Sequence, residues 1–241
     1  MYKDLVILSS TTHKDFRFKP VTNYGFVKHL NSSVIVGQEF MESASHYPIV
    51  FSTSKDGLIN PVVIMGLSDN LFVDEDGTWE VERYVPAFLR RYPFILAEGI
   101  AEDGSLTVCV DTSYQGFGVD SGEPLFTEQG EPSPLLSGSI DFLRLFHDHN
   151  GITRDFINHL TGLNLFKLVD ATVSLAENAG HFTIRDLNMV DEELLFKLSD
   201  EHLAALVRRG YLPWIYAHLH SMKNFSRIIN KANHVVLQKK D

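Results

Sequence analysis

Leu71-Phe72-Val73-Asp74-Glu75-Asp76-Gly77-Thr78-Trp79-Glu80, continuing through Arg83-Tyr84-Val85-Pro86-Ala87-Phe88-Leu89-Arg90-Arg91-Tyr92-Pro93-Phe94, is the stretch from which the fold class is read. Residues 71–73 have the character of a strand that runs into an acidic turn, with Gly77 where a positive φ is cheapest. Val85, Phe88, Leu89 and Tyr92 then recur at i, i+3, i+4 and i+7, which predicts a short helix over residues 84–92. Pro86 falls in its first turn, where a missing N–H costs nothing, and Pro93 ends it. Residues 94–97 predict a further strand. Strands and a short helix in direct succession, joined by tight turns, point to an α+β fold.

The same alternation holds upstream. Residues 1–114 form a strand-rich region, with strands expected over residues 5–8, 33–36, 49–52, 62–66, 94–97 and 106–110 and a helix over 38–46. Lys55-Asp56-Gly57 and Glu102-Asp103-Gly104 are further turns of the Gly77 kind. Residues 115–139 shift to Gly, Ser, Pro and Glu without a period and read as a long loop or linker, either a binding loop or a boundary. Residues 140–241 are helix-rich. A helix is expected over 140–159 with a break at Gly151, then a hairpin of residues 165–175 and 181–184 around Glu177-Asn178-Ala179-Gly180. Short helices follow over 191–198 and from Ser199, an N-cap, to Gly210, a stop. A last helix starts near Pro213 and carries Trp214, Ile215, Leu219 and Met222 toward Ile228 and Ile229. The expectation is one compact α+β domain, strand-rich with short helices in its N-terminal half and helix-rich in its C-terminal half.

Composition narrows the function classes. The chain has 241 residues, 44% of them hydrophobic, ample for a packed core, and a formal net charge of −10 that disfavours nucleic acid and anionic membranes. Arg90-Arg91, Arg208-Arg209 and Lys239-Lys240 are isolated basic doublets rather than a patch. Cys109 is the single cysteine and sits in an apolar run, so no internal disulfide forms. The N-terminal apolar run, Leu5 to Leu8, is shorter than a secretory core of roughly 7–15 residues. No stretch approaches the roughly 20 apolar residues of a spanning helix. A cytoplasmic location without membrane insertion is expected.

Chemistry-bearing residues are scattered. His147-Asp148-His149 and His218-Leu219-His220 put two imidazoles on opposite sides of a helix, about 200° apart, where they cannot share an ion. His13-Lys14-Asp15 has the His-x-Asp spacing of an iron facial triad, which would need a distal imidazole such as His181. There is no G-x-S-x-G elbow, and Cys109 has no basic neighbour in sequence to make a thiolate. Asp74, Glu75 and Asp76 lack the ligand spacing of an EF-hand. The remaining group is aromatic and basic: Trp79, Tyr84, Arg90 and Arg91 are candidate ligand- or partner-binding residues, because ring faces take apolar C–H surface and guanidinium forks take planar anions.

With His46-Tyr47-Pro48-Ile49-Val50-Phe51 and the closing pattern Val190-Asp191-Glu192-Glu193-Leu194, Gly210-Tyr211-Leu212 and Ile215-Tyr216-Ala217-His218-Leu219-His220-Ser221-Met222, the decisive stretch resembles the bacterial SapC-like family. The resemblance implies a surface-layer or glycan-uptake context and brings no catalytic residues with it. The reading is therefore a non-catalytic accessory protein that binds a protein, glycan or peptide through residues 79–91, covered by residues 115–139, with no cofactor. Its rivals are a non-haem Fe2+ oxygenase using His13, Asp15 and His181, and a homodimeric scaffold joined through the C-terminal helices.

Overall fold

The structure is a computed structural model described over residues 1–99, 106–118, 120–174 and 181–238. In chain order its strands are β1 (Leu5–Ile7), β2 (Arg17–Phe18), β3 (Ser32–Val34), β4 (Ile49–Thr53), β5 (Ile59–Ile64), β6 (Phe94–Ala97), β7 (Thr107–Asp111), β8 (Phe117–Gly118), β9 (Glu123–Pro124), β10 (Phe166–Ser174) and β11 (His181–Val190). The helices are α1 (Phe40–His46), α2 (Ala87–Arg90), α3 (Pro134–Gly162), α4 (Glu192–Phe196), α5 (Asp200–Arg208), α6 (Tyr211–Ser221) and α7 (Asn224–Gln238). The fold is α+β, with strands concentrated in the N-terminal half and helices in the C-terminal half. Its contacts separate into two compact units. The first is Met1–Tyr24 with Ala87–Asp148, and the second is Gly25–Pro86 with His149–Asp241.

The first unit holds two small antiparallel sheets, ordered β1-β7-β6 and β8-β2-β9. Its core is Phe18, Phe94, Val110, Leu125, Phe126, Leu136 and Leu143. Three of these, Leu125, Phe126 and Leu136, come from the stretch expected to be loop or from just beside it. Residues 115–139 are more ordered than their composition implies: β8 and β9 flank β2, Phe126 bridges Pro132, and α3 begins at Pro134. Ser133 Oγ accepts the Leu136 N–H at 3.3 Å, and Pro134 occupies the first turn, where it lacks no bond. The helix then passes through Gly151 without the expected break. One glycine costs a helix only about 1 kcal/mol, which the burial of Phe146, Thr153, Phe156 and Leu160 outweighs.

The second unit is built on the antiparallel sheet β10-β11-β4-β5-β3. Ile49, Val50 and Phe51 of β4 are all fully buried, so both faces of this central strand are covered and its sequence is a continuous apolar run. The β4–β5 turn forms as expected at Lys55-Asp56-Gly57, with Gly57 at φ 79°. The expected turns at residues 102–104 and 177–180 lie outside the described residues. Ser199 caps α5 through the His202 N–H, Gly210 ends it at φ 73°, and the single helix expected from Pro213 is two, α6 and α7.

Two expectations from the opening stretch change. The helix over 84–92 shrinks to α2, because Val85 and Tyr92 each precede a proline and are thereby pushed out of helical backbone. Residues 71–73 make only a single bridge, Val73 to Trp79, since the Phe72 N–H and the Val73 carbonyl go to the Asn70 and Lys28 side chains and the Leu71 N–H to the Met65 carbonyl.

Gly37 is required by packing. A Cβ there would stand 2.3 Å from the Trp214 ring, which is itself held by Phe40 at 6.0 Å, Phe156 at 5.3 Å and Tyr211 at 5.8 Å. Gly37→Ala is expected to destabilise the second unit by about 1–3 kcal/mol in urea melts, and Trp214→Phe in the same chain to recover part of that. Equal stability of Gly37→Ala and the parent would contradict this packing.

Candidate functional site

The acidic turn builds one wall of a large hollow. Asp74 Oδ1 accepts the N–H groups of Asp76 at 3.0 Å and Thr78 at 2.8 Å, and Gly77 sits at φ 81°, so the carboxylate folds the turn rather than facing an ion. Lys28 Nζ donates to the Val73 carbonyl and lies 3.4 Å from Glu75 Oε1. Asn70 Oδ1 accepts the Phe72 N–H at 3.0 Å. These bonds direct Phe72 and Trp79 inward, and both are buried, at 1% and 8% exposure.

Between this wall and α7 lies a cavity of about 920 Å³, within the second unit. Its floor is apolar, from Leu71, Phe72, Val73, Trp79, Ala232 and Val235. Glu80 stands at one side, accepting from Arg83 Nε at 3.0 Å and from Lys231 Nζ at 2.7 Å. Burial by itself would raise the Glu80 carboxyl, but the hydrogen bonds and charges of Lys231 and Arg83 outweigh it and hold the group below its ordinary value. Lys231 also lies 5.2 Å from the Phe72 ring centroid and Arg83 5.9 Å from it. Lys28 and Lys231 are thus each paired with a carboxylate at this wall.

Behind the wall, Tyr47 packs edge-on against Phe72 at 5.0 Å and donates its hydroxyl to the Tyr84 carbonyl at 2.6 Å. Burial pushes the Tyr47 phenol up, opposed by the Arg83 charge and a hydrogen bond with Trp79. Tyr84 in turn donates to Glu39 Oε1 at 2.8 Å, while Glu39 Oε2 accepts the Val36 N–H at 2.9 Å. Of the four binding candidates, Trp79 therefore lines the large cavity, and Tyr84 holds the framework behind it.

Arg90 and Arg91 belong to the first unit. They line a separate hollow of about 440 Å³ with Tyr24, Tyr92, Phe142 and Gly138 among its walls. Arg90 lies 5.2 Å from the Phe142 ring centroid, and Arg91 lies 4.2 Å from that of Phe88 and 5.1 Å from that of Phe146. Burial pushes the nearby Tyr2 phenol up to about 12, against the lowering charge and hydrogen bond of Arg91.

The iron alternative draws on residues of both units. His13 is buried, its Nδ1 accepts the Ser9 N–H at 3.1 Å, and its ring meets Phe16 edge-on at 5.0 Å, whereas Asp15 is exposed. Both belong to the first unit. His181 begins β11 in the second, and its side chain lies outside the described residues. Among the described residues no three His, Cys, Asp or Glu side chains gather where they could hold one ion. With Nδ1 accepting, the neutral His13 ring carries its proton on Nε2, so neither nitrogen offers a free lone pair to an ion in this arrangement.

Of the two His-x-His pairs, His218 has a clear structural role. It is fully buried, with Nδ1 2.7 Å from the Ile49 carbonyl and Nε2 accepting the Val190 N–H at 3.1 Å. That pairing specifies the neutral ring with its proton on Nδ1. Burial pushes its pKa down to about 4, slightly offset by the Ile49 hydrogen bond. Ser221 and Asn224, three and six residues on, hold Ile49 N–H at 2.8 Å and the Ala44 and Tyr47 carbonyls at 2.8 and 3.1 Å.

The SapC family model matches residues 8–228. The chain belongs to the SapC family. No curated protein and no solved structure matches it. Within this SapC-family chain the described residues lining the large cavity offer the hydroxyls of Ser68 and Thr78 and no His or Cys. The ionisable groups of that lining are the carboxylates of Asp69, Asp74, Glu75 and Glu80 and the amines of Lys28 and Lys231. Among the described residues no helix is long and apolar enough to cross a membrane. The cavity residues that sequence reasoning passed over are Lys28, Phe72, Glu80 and Lys231. Lys231 lies in the last helix, far along the chain from the turn it faces, and no spacing within either segment signals that meeting.

Proposed function

We propose that this SapC-family protein is a non-catalytic accessory protein that captures a protein or peptide segment in the Trp79 cavity. The observation that carries the reading is the cavity of about 920 Å³ with an apolar floor and a rim on which Asp69, Asp74, Glu75 and Glu80 face Lys28 and Lys231. A volume of that size takes a short segment with several large apolar side chains. Acidic groups outnumber basic ones, so the segment that fits carries basic residues beside its apolar anchor. A sugar is a poorer occupant, because stacking needs an open ring face and the Trp79 and Phe72 rings are packed. As part of the same reading, the role belongs to bacterial surface-layer or glycan-uptake functions, which family membership supports.

The test uses the protein's own fluorescence. It has two tryptophans, Trp79 and Trp214, so the Trp214→Phe variant leaves the cavity residue as sole reporter. Titration with a short peptide bearing Leu and Phe between lysines is expected to shift its emission. The same peptide with glutamates for lysines should bind about tenfold more weakly. Val235→Arg, at a partly exposed floor position, should weaken binding of the basic peptide without loss of the fold. A response to maltoheptaose but to neither peptide would replace this reading with a glycan site.

A further inference from the structure

We propose that the first unit carries a second binding site, for a small organic carboxylate with an apolar body, in the hollow walled by Arg90, Arg91 and Phe142. This goes beyond the function proposed above and does not depend on it, since all the residues involved belong to the other unit.

Charge, shape and preorganisation support the inference separately. The chain carries ten more acidic than basic side chains, yet the residues lining this hollow include two arginines and no Asp or Glu. Arg90 and Arg91 both line it, so a carboxylate entering the hollow meets two positive charges and guanidinium N–H donors. The hollow, about 440 Å³, is of small-molecule size. Arg90 is exposed and Arg91 half-buried, whereas Phe18, Phe94 and Leu143 in the same lining are buried core residues. The charged end is therefore toward solvent and the apolar end toward the core, matching a carboxylate head on a hydrocarbon or aryl tail. A bare inorganic phosphate would leave that apolar end unfilled.

Preorganisation comes from the rings. Phe142 under Arg90, and Phe88 and Phe146 beside Arg91, restrict long side chains that would otherwise lose rotamer entropy on binding. Gly138 of α3 also lines the hollow, and a Cβ built there meets no heavy atom within 4 Å. A side chain added at this lining position therefore starts in open space, where it competes with a ligand for the hollow.

The experiment is calorimetric titration of the full chain with 4-phenylbutyrate and with its uncharged amide. The acid is expected to bind and the amide to bind about tenfold more weakly or not at all. Arg90→Gln should weaken the acid about tenfold. Gly138→Leu should abolish binding while leaving the melting temperature unchanged or higher, because Leu is the better helix former. A peptide ending in a free phenylalanine carboxylate, compared with its C-terminal amide, separates a small metabolite from a chain terminus as the source of the carboxylate. The proposal is overturned if no carboxylate binds, if acid and amide bind alike, or if folded Gly138→Leu binds as the parent does.

Discussion

His218→Ala is expected to lower the stability of the second unit by about 3–5 kcal/mol, through a cavity and two buried backbone groups left without partners. The orphans are the Ile49 carbonyl of β4 and the Val190 N–H of β11, which the ring joins to α6. Both tryptophans lie in this unit, so fluorescence-monitored urea unfolding reports on it directly. The parent protein should also be acid-sensitive in a defined window. The folded pKa of His218, about 4, is depressed below the ordinary 6.5, so the unfolded chain takes up the proton first. Its contribution is fully present above 6.5 and is lost as the pH falls toward about 4, a loss of roughly 3 kcal/mol. Melts of the parent at about pH 7.5 and about pH 4.5 should differ accordingly, and the Ala variant should lose most of that difference. A variant within about 1 kcal/mol of the parent, or one with the parent's full pH slope, would show that the ring is not the pin described.

In the first unit the comparable residue is Asp111. Its fully buried carboxylate accepts the Lys3 N–H at 2.9 Å, the Asp4 N–H at 3.1 Å, the Ser113 N–H at 3.0 Å and the Ser113 hydroxyl at 2.7 Å. Burial alone would raise its pKa, but these four bonds outweigh it and hold the group below its ordinary value. Asp111→Ala therefore frees the entry to β1, which pairs with β7 through Leu5 and Asp111. The cost is expected at about 3 kcal/mol, given the strength of hydrogen bonds to a charged acceptor. Cys109, buried two residues away in β7, is a built-in reporter. Its labelling by a thiol reagent under native conditions should accelerate roughly a hundredfold in Asp111→Ala, in proportion to the opening equilibrium. Because the folded pKa is depressed, the parent holds this stabilisation above the ordinary carboxylate pKa of 3.8 and loses it as the pH falls through the lower folded value. An unchanged labelling rate would mean that the N-terminal strand is held by other contacts.

These residues show where sequence reading reaches and where it stops. His218, Ser221 and Asn224 follow one another at helical spacing, and three polar groups on one stripe of an apolar segment signal buried hydrogen bonds. Apart from the Val190 N–H, 28 residues from His218, their partners include the Ile49 N–H and carbonyl and the Ala44 and Tyr47 carbonyls, which lie some 170 to 180 residues away and carry no side-chain signal at all. Ser133-Pro134 is a helix start that composition concealed, because Gly, Ser and Pro nearby dilute any period. The four aromatic and basic candidates were chosen for being near one another in sequence. Trp79 and Tyr84 fold into one unit, Arg90 and Arg91 into the other.

Local chemistry alone determined the α+β class, the turns at Gly57 and Gly77, the Ser199 cap and the membership of the SapC family, because each depends on residues within a few positions or on a linear pattern. Tertiary structure decided which side chains share a cavity, that His218 is buried with both ring nitrogens engaged, and that Trp79 lines one hollow while Arg90 and Arg91 line another. Those properties arise from groups brought together across a hundred or more residues by burial of apolar surface, a force that is non-directional and leaves no mark of its partners in the order of the amino acids.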